Sequence, residues 1–284
     1  MMPGQMTCCC SSRRRGLTLL ELVVVMAILA GLAAILIPLF PNLLSQSHSS
    51  AAATNVAEVT KAVQMYYSQN ALYPNNLDSL TSGAALFTSL PMVTSGAMAQ
   101  LNQDLVVTAA PSATDVSALN SAGLTTVLNM QQTATSGVTN SVWSPTFYPY
   151  GDGTNGLVVA PTPTTISIST PLVQLSAAAA QRLGLESNGV TTNTYYVFGL
   201  GDYSSMQGTA MDQAPVHWMA NMTMNGATMS MSPSTVYSRF GLIFQTASAG
   251  TALSTAKFVG TVLLTGAGVA NGTKPMSTYL GTQQ

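Results

Sequence analysis

The longest apolar stretch of the chain extends from Leu17 to Phe40. As an α-helix, its 24 residues would span about 36 Å at ~1.5 Å per residue. A bilayer core of about 30 Å needs about 20 apolar residues. No side chain from Leu22 to Ile37 is polar, so the pattern predicts a single membrane-spanning helix.

A second pattern follows the apolar run. Apolar residues recur every three or four positions, as on one face of a helix, at Ala52, Val56, Val59, Val63 and Tyr66. We therefore predict one helix from about Leu17 to about Gln69. Residues 17–41 would be its transmembrane half, and residues 42–70 its amphipathic half. Pro38 falls near the join, and a bend is expected there because proline kinks or locally breaks a helix.

Residues 71–284 have the pattern of an exported globular domain with short elements. Two short helices are predicted, Ser112–Ala122 and Ser176–Leu183, and Ser112 and Asp115 have the spacing of a capping box. Segments rich in β-branched and aromatic residues predict strands at Leu105–Thr108, Leu157–Val159, Thr165–Ser169, Thr194–Phe198, Val216–Met224, Tyr237–Gln245 and Lys257–Leu264. The predicted fold is α+β, with a long N-terminal helix packed on an antiparallel β-sheet.

Charged residues flank the apolar run and interrupt it once. Arg13–Arg15 precede Gly16 and form the only basic cluster, so the N-terminus is predicted to face the cytoplasm. Glu21 lies inside the run, where a carboxylate costs up to about 2.5–3.5 kcal/mol. Either Glu21 reaches back to the lipid headgroups, or a positive partner neutralises it. A cut after Gly16 would give Leu17 a free amine, and the amine of a neighbouring copy could be that partner.

At these residues the chain resembles the type IV pilin family, which includes the pseudopilins of type II secretion. Precursors in that family have a short basic leader ending in Gly. A hydrophobic residue, Thr, two apolar residues, Glu and an apolar helix with a Pro further on follow the leader. The corresponding residues here are Gly16, Leu17, Thr18, Leu19, Leu20, Glu21, Leu22 and Pro38. Leu17 departs from the commoner Phe or Met, but it is also large and apolar.

The resemblance implies a sequence of processing and assembly. Prepilin peptidase would remove residues 1–16 as a leader by cutting between Gly16 and Leu17, and the new Leu17 amine would be methylated. Glu21 and Pro38 would serve assembly into a filament with copies of the chain or related pilins, on an assembly platform driven by an ATPase. The protein would be a single-pass inner-membrane protein first, and part of a cell-surface or periplasmic filament after assembly.

A second likeness extends the resemblance to about residue 80. The segment from Lys61 to Leu80, with Asn70 and a Tyr73-Pro74 pair, is similar to the helix exit of the major pseudopilin and of many pilins. Ala71 stands where the family usually has Gly. No further resemblance is found beyond residue 80.

Charged residues are scarce, at 6% of the chain, against about 25% in typical domains. Without the leader, 5 of the 8 basic side chains remain against 9 acidic ones, a net charge of −4. Because no basic patch is left, nucleic acid is not an expected partner. The three cysteines, Cys8–Cys10, precede the cut, so no disulfide is expected in the exported domain. We hypothesise that this nearly uncharged surface suits work outside the cell, in acidic surroundings.

No set of residues predicts catalysis, a cofactor or a metal. The only histidines are His48 and His217, and no Gly-x-Ser-x-Gly turn accompanies them. Gly151–Gly156 has one carboxylate where a calcium loop needs several, so a hairpin turn is predicted there. Gly199–Asp202 lacks the third glycine of a nucleotide-binding loop. We expect a structural protein rather than an enzyme.

Three functions are consistent with the sequence. The first is a structural subunit of a type IV pilus or pilus-like filament. The second is a pseudopilin of a type II secretion system, in which a short filament acts as a piston. The third is a membrane-tethered or Sec-exported binding protein that does not polymerise, with a signal peptide cut near Ala33. The apolar run continues beyond that cut and contains Glu21, which favours the first two.

Overall fold

The computed structural model describes residues 19–36, 40–87, 90, 100–129, 163–186, 192–217, 222–224, 227–229, 237, 239–265 and 268–270. The chain divides into two compact units, Met1–Ser47 and His48–Gln284. The first is defined by an apolar helix, and the second contains a β-sheet with helices.

Helix α1, Leu19–Leu36, belongs to the first unit. Its 18 residues are apolar apart from Glu21, and most of them are Leu, Ala and other residues that tolerate a helix well. The predicted apolar run, Leu17–Phe40, extends past α1 at both ends, and the residues between α1 and the next helix, which include Pro38, lie outside the described residues.

Helix α2 is Phe40–Asn70, and its residues from His48 onward belong to the second unit. Its C-terminal end lies one residue beyond the predicted end at about Gln69. The structure thus describes two helices, α1 and α2, over the span for which one helix is predicted. The bend predicted at Pro38 stays a prediction.

Beyond α2, the described part of the second unit contains three short helices and thirteen strands. The helices are α3 (Gln100–Asp104), α4 (Ala113–Ser121) and α5 (Ala177–Arg182). The strands are β1 (Leu77–Asp78), β2 (Thr81–Ser82), β3 (Ala85–Leu86), β4 (Leu105–Thr108), β5 (Thr126–Leu128), β6 (Thr164–Thr165), β7 (Leu172–Leu175), β8 (Thr194–Gly199), β9 (Met222–Met224), β10 (Ala227–Met229), β11 (Phe240–Ser248), β12 (Thr251–Thr265) and β13 (Gly268–Ala270).

Nine of these strands form one sheet. Its main order is β13-β12-β11-β8-β1-β5-β6, with β7 also bonded to β8 and β4 bonded to β7. The pairs are antiparallel except for β1 and β5, which are parallel. The sheet is therefore mixed, whereas the sequence predicts an antiparallel one. The chain passes through α4 between β1 and β5, and a crossover of this kind is what parallel pairing requires.

The sheet buries side chains on both faces. Along β8, Tyr196 and Phe198 belong to one core cluster, and Tyr195 and Val197 belong to a second. β11 alternates in the same way, as expected from the period of two in a strand. The first cluster includes residues of α2 and α4, and the second includes residues of α3 and α5. The second unit therefore has three layers, with helices on both sides of the sheet.

The predicted apolar stripe of α2 faces the first cluster. Its members are buried or partly buried there, at Ala52, Val56, Val59, Val63 and Tyr66, which confirms the helical pattern. Full burial of one Val side chain contributes about 1.5–3 kcal/mol. A hydrogen bond from Thr60 Oγ1 to Thr261 Oγ1, at 3.0 Å, also joins this helix to β12.

Both short helices predicted from sequence are confirmed. Ser112 is the N-cap of α4, and its Oγ accepts a hydrogen bond from the amide of Asp115 at 3.1 Å. Ser176 caps α5, where its Oγ accepts from the amide of Ala179 at 3.2 Å. These caps satisfy amides that have no partner inside the helix.

Most predicted strands are present, but two are wrong in extent. Of Thr165–Ser169, only the first residue belongs to a strand, because the Oγ1 of Thr170 accepts the amide of Ser167 at 3.0 Å and holds a turn there. Of the described residues of Val216–Met224, Val216 forms an isolated bridge with Arg239, His217 is outside any strand, and the last three residues form β9. Leu157–Val159 lies outside the described residues. The strand β4 has the predicted bounds, and β8, β11 and β12 overlap their predictions.

The exit of α2 has a left-handed residue. The amide of Ala71 donates to the carbonyl of Tyr67 at 2.8 Å, and Ala71 has φ of 56°. This is the usual position of glycine after a helix. An L-residue with a side chain is strained in this region by about 1–2 kcal/mol, so Ala71 is a site of local strain.

Replacing Ala71 with Gly should stabilise the protein by about 0.5–1 kcal/mol, because relief of the strain exceeds the extra entropy of an unfolded Gly. The midpoint of urea unfolding measures this change. Ala57→Gly is the matched control, because Ala57 is exposed inside α2, where Gly costs about 1 kcal/mol. The two variants should shift the midpoint in opposite directions. Shifts of the same sign would contradict a left-handed residue 71.

Candidate functional site

The residues predicted to act in processing and assembly are Gly16, Leu17, Glu21 and Pro38. The structure describes one of them, Glu21, in the first turn of α1, with its side chain exposed. The other three lie outside the described residues. The helix macrodipole stabilises a carboxylate in a first turn by about 0.3–1 kcal/mol. A negative charge on Glu21 is therefore favourable at this end of α1.

The surface of α1 is apolar on every side. Its large apolar side chains are between 48 and 81% exposed, at Leu19, Leu20, Leu22, Val23, Val24, Val25, Met26, Ile28, Leu29 and Leu32. Successive residues turn by about 100° around a helix, so the consecutive residues 22–25 face different directions. A helix that is apolar all round is stable where lipid or other protein surrounds it. The surface of α1 is therefore suited to contact with lipid and to contact with other protein.

Residues 11–37 match the family model described as the prokaryotic N-terminal methylation motif. The chain carries the signature of type IV pilins and pseudopilins. The matched segment contains the basic cluster, Gly16, Glu21 and all of α1. The predicted resemblance is therefore confirmed over the segment from which most of it was inferred.

No curated protein and no solved structure matches the chain. Among the described residues, no helix combines the length and the apolarity required to cross a membrane.

Few polar groups are buried in the second unit, and Asp115 is the centre of one network. Its carboxylate accepts from the hydroxyls of Thr246 at 2.5 Å, Ser112 at 2.6 Å and Tyr196 at 3.3 Å. Burial raises the pKa of Tyr196, so this hydroxyl remains a donor. The network joins α4 to β8 and β11, and three donors compensate the burial of one charge.

Asp104 forms a second buried contact between elements. Its Oδ2 forms an ion pair with Arg182 and accepts from the amide of Val269 at 2.7 Å. Its backbone carbonyl accepts from the amide of Ser176 at 2.7 Å. Asp104 therefore joins α3 to α5 and β13, and its role is structural.

A third polar group lies beside β8. Asp78, which is opposite Gly199 in the β1–β8 pair, is 1% exposed, and its Oδ2 accepts from the hydroxyl of Tyr237 at 2.6 Å. Nearby, Arg239 forms an ion pair with Asp202. Asp202 is therefore held by an ion pair within the second unit.

The structure describes some of the other residues that were considered for catalysis, metal binding or disulfides. His217 is buried, and its ring lies edge-on to that of Phe240 with centroids 5.6 Å apart. Gly151–Gly156 and Cys8–Cys10 lie outside the described residues. Within the part of the chain that the structure describes, no group of three or more His, Cys, Asp or Glu side chains could hold a metal ion.

The polar cluster around Asp78 is not among the features predicted from the sequence. Asp78 lies in the short segment Leu-Asp-Ser-Leu at residues 77–80, between polar residues on both sides. Its partners Tyr237 and Arg239 are more than 150 residues away along the chain. Nothing in local sequence spacing indicates such a contact.

The exposed apolar surface predicts how two forms of the chain behave in solution. A chain starting at His48 should be monomeric without detergent, because it lacks α1. A chain starting at Leu17 should associate unless detergent is present, since its apolar helix is exposed. Light scattering coupled to size-exclusion chromatography measures both masses. A monomeric chain 17–284 in plain buffer would show that α1 is covered within its own molecule.

Proposed function

We propose that this chain is the precursor of a structural subunit of a type IV pilus-like filament. The observation that carries the proposal is the methylation motif at residues 11–37, whose apolar part forms α1 with Glu21 in its first turn. Prepilin peptidase removes residues 1–16, and the Leu17 amine is then methylated. The second unit supplies the outer part of the filament.

Anchoring precedes assembly in this proposal. The apolar run from Leu17 to Phe40 holds the precursor in the inner membrane, with the basic residues before it on the cytoplasmic side. An assembly platform and its ATPase then extract the subunit. α1 exchanges lipid for the helices of neighbouring copies, and this exchange costs little in apolar terms because both environments bury the same side chains. The product is a filament at the cell surface or in the periplasm.

In the proposed filament, Glu21 determines how each subunit is positioned against the next. A carboxylate within a packed apolar bundle is strongly disfavoured unless a positive group neutralises it. Cleavage creates such a group, the amine of Leu17, four residues before Glu21 in the sequence. We infer that the Leu17 amine of one copy binds Glu21 of the next. The alternative is that this chain is a pseudopilin of a type II secretion system, and we infer the same pairing between subunits for that filament.

The mature N-terminus tests the processing step. Intact and peptide mass spectrometry of the protein from its native membrane should find a chain starting at Leu17 with a methylated amine. Gly16→Ala is expected to block cleavage and leave the full leader. A chain starting near Ala34 would instead show that a Sec signal peptide had been removed, and it would contradict the proposed pilin function.

Glu21→Ala should leave membrane insertion and cleavage intact but abolish incorporation into filaments. Removing one partner of a desolvated ion pair costs about 3–5 kcal/mol, so incorporation should fall more than about 100-fold. Quantitative immunoblots of sheared filaments and of membranes measure the two pools.

Glu58→Ala is the matched control for this variant. Glu58 is an exposed carboxylate on α2, so its loss should leave incorporation unchanged. Glu21→Gln separates charge from shape, and it should fail like Glu21→Ala if pairing with the amine is the cause. Normal incorporation of Glu21→Gln would contradict a role for the charge.

A further inference from the structure

The buried carboxyl of Asp78 has an unusual environment. It is 1% exposed, and its Oδ2 accepts a hydrogen bond from the hydroxyl of Tyr237. Its Oδ1 has no hydrogen-bond partner among the residues that the structure describes. The carboxyl lies against the backbone of Gly201, where a Cβ would overlap both oxygens. By comparison, the buried carboxylate of Asp115 has three hydroxyl donors.

A buried cation lies close to Asp78 but binds another carboxylate. Arg239 is 4% exposed, and its guanidinium forms an ion pair with Asp202, whose side chain is 39% exposed. The Nη1 of Arg239 lies 2.9 Å from Asp202 Oδ1. The same Oδ1 accepts from the amide of Ala214 at 3.2 Å. The side chain of Asp202, at the start of the loop 202–214, thus binds the other end of the loop at Ala214.

Among the described residues, three groups act electrostatically on Asp78: the hydroxyl of Tyr237, the guanidinium of Arg239 and the carboxylate of Asp202. One cation is therefore shared between two carboxylates, one fully buried and one half-exposed. Water stabilises the half-exposed carboxylate by itself, whereas the buried one depends on a proton or on Arg239.

We propose that Asp78, Arg239 and Asp202 form a proton-operated switch for the loop 202–214. When Asp78 carries a proton, Arg239 binds Asp202 and holds the loop. When Asp78 loses its proton, Arg239 turns to the new buried charge and releases Asp202. The proton goes to solvent and no bond other than O–H is broken, so the change is an exchange of one ion pair for another.

The electrostatic environment places this exchange in the range from acid to neutral pH. Burial raises the pKa of Asp78 from 3.8 to about 7, with Asp202 acting in the same direction and Tyr237 and Arg239 opposing it. Because the folded pKa is higher than the unfolded one, the folded state binds the proton more tightly. The resulting stabilisation is fully present below the unfolded pKa and is lost as the pH rises through about 7.

The switch has a structural consequence beyond the loop itself. Ser205, within the loop, donates its amide to the carbonyl of Asn75 at 3.0 Å and accepts the amide of Asn75 at 2.8 Å through its Oγ. Asn75 also accepts the amide of Thr126 at 2.8 Å. The loop is therefore bonded to the chain that follows α2. Acid pH would hold this region of the surface fixed, and neutral pH would loosen it.

The first experiment titrates the carboxyl directly in the full chain in detergent micelles. The chain has only six aspartates, at Asp78, Asp104, Asp115, Asp152, Asp202 and Asp212, so carboxyl-¹³C aspartate gives a spectrum that single variants can assign. We expect Asp78 to titrate with a midpoint of about 7. A carboxyl of Asp78 that is already ionised at pH 5 would overturn the proposal.

The second experiment measures the loop. Amide hydrogen exchange of residues 202–214, corrected for intrinsic rates, should be slow at pH 5 and should increase above pH 7. In Asp78→Asn the increase should disappear, because no buried charge attracts Arg239. Asp212→Asn is the control, because Asp212 is exposed in the same loop, and it should keep the increase. An unchanged increase in Asp78→Asn would overturn the switch.

Asp202→Asn provides a test that does not alter the core. Without Asp202, Arg239 should bind Asp78 whenever that carboxyl is ionised, so the Asp78 midpoint should fall by about one unit or more. The loop should then exchange fast even at pH 5. An unchanged midpoint would show that Arg239 does not move between the two carboxylates, and would overturn the exchange. These outcomes do not depend on cleavage or filament assembly, so they test the switch separately from the proposed function.

Discussion

The arrangement of the second unit depends on a sheet that is buried on both faces. β8 and β11 alternate large side chains between two core clusters, so neither face can be left to solvent. α2 and α4 cover one face, and α3 and α5 cover part of the other. The amphipathic half of the N-terminal helix is thus an integral part of the core and not an appendage. Loss of its stripe would expose the first cluster, including Phe244, to water.

A core of this kind leaves little room for charge, and the few carboxylates show three solutions to the same problem. The carboxylate of Asp115 accepts three hydroxyl hydrogen bonds, and that of Asp104 binds Arg182 and accepts a hydrogen bond from a backbone amide. Among the described residues Asp78 has one donor, and protonation is the remaining means of avoiding a buried charge. The scarcity of basic residues makes this outcome understandable, because only five remain in the chain after the N-terminal cluster. Two of those five, Arg182 and Arg239, already bind other carboxylates.

Local patterns could be predicted from the sequence, and long-range contacts could not. The stripe from Ala52 to Tyr66 and the caps at Ser112 and Ser176 depend on residues within one or two turns, and all are confirmed. β1 has two residues, Leu77 and Asp78, and no periodic signal exists in so short a strand. Its parallel partner β5 lies about fifty residues further on. For the candidate site, the motif around Glu21 could be recognised because its residues are adjacent, whereas the Asp78 cluster joins three distant segments.

Glu21 and Asp78 are the same chemical problem in two settings. Glu21 is a carboxylate in an apolar sequence, Asp78 is a carboxylate buried by the fold, and each must be neutralised where water is excluded. Asp78 lies inside one molecule, so its neutralising group must be a proton or a residue of the same fold, and pH can select between them. Glu21 lies on an exposed apolar helix, so another chain can supply its neutralising group. We therefore propose a switch within one subunit for Asp78 and a contact between subunits for Glu21. Glu21 lies within the recognised motif at residues 11–37, whereas the Asp78 cluster is assembled from segments that are distant in the sequence.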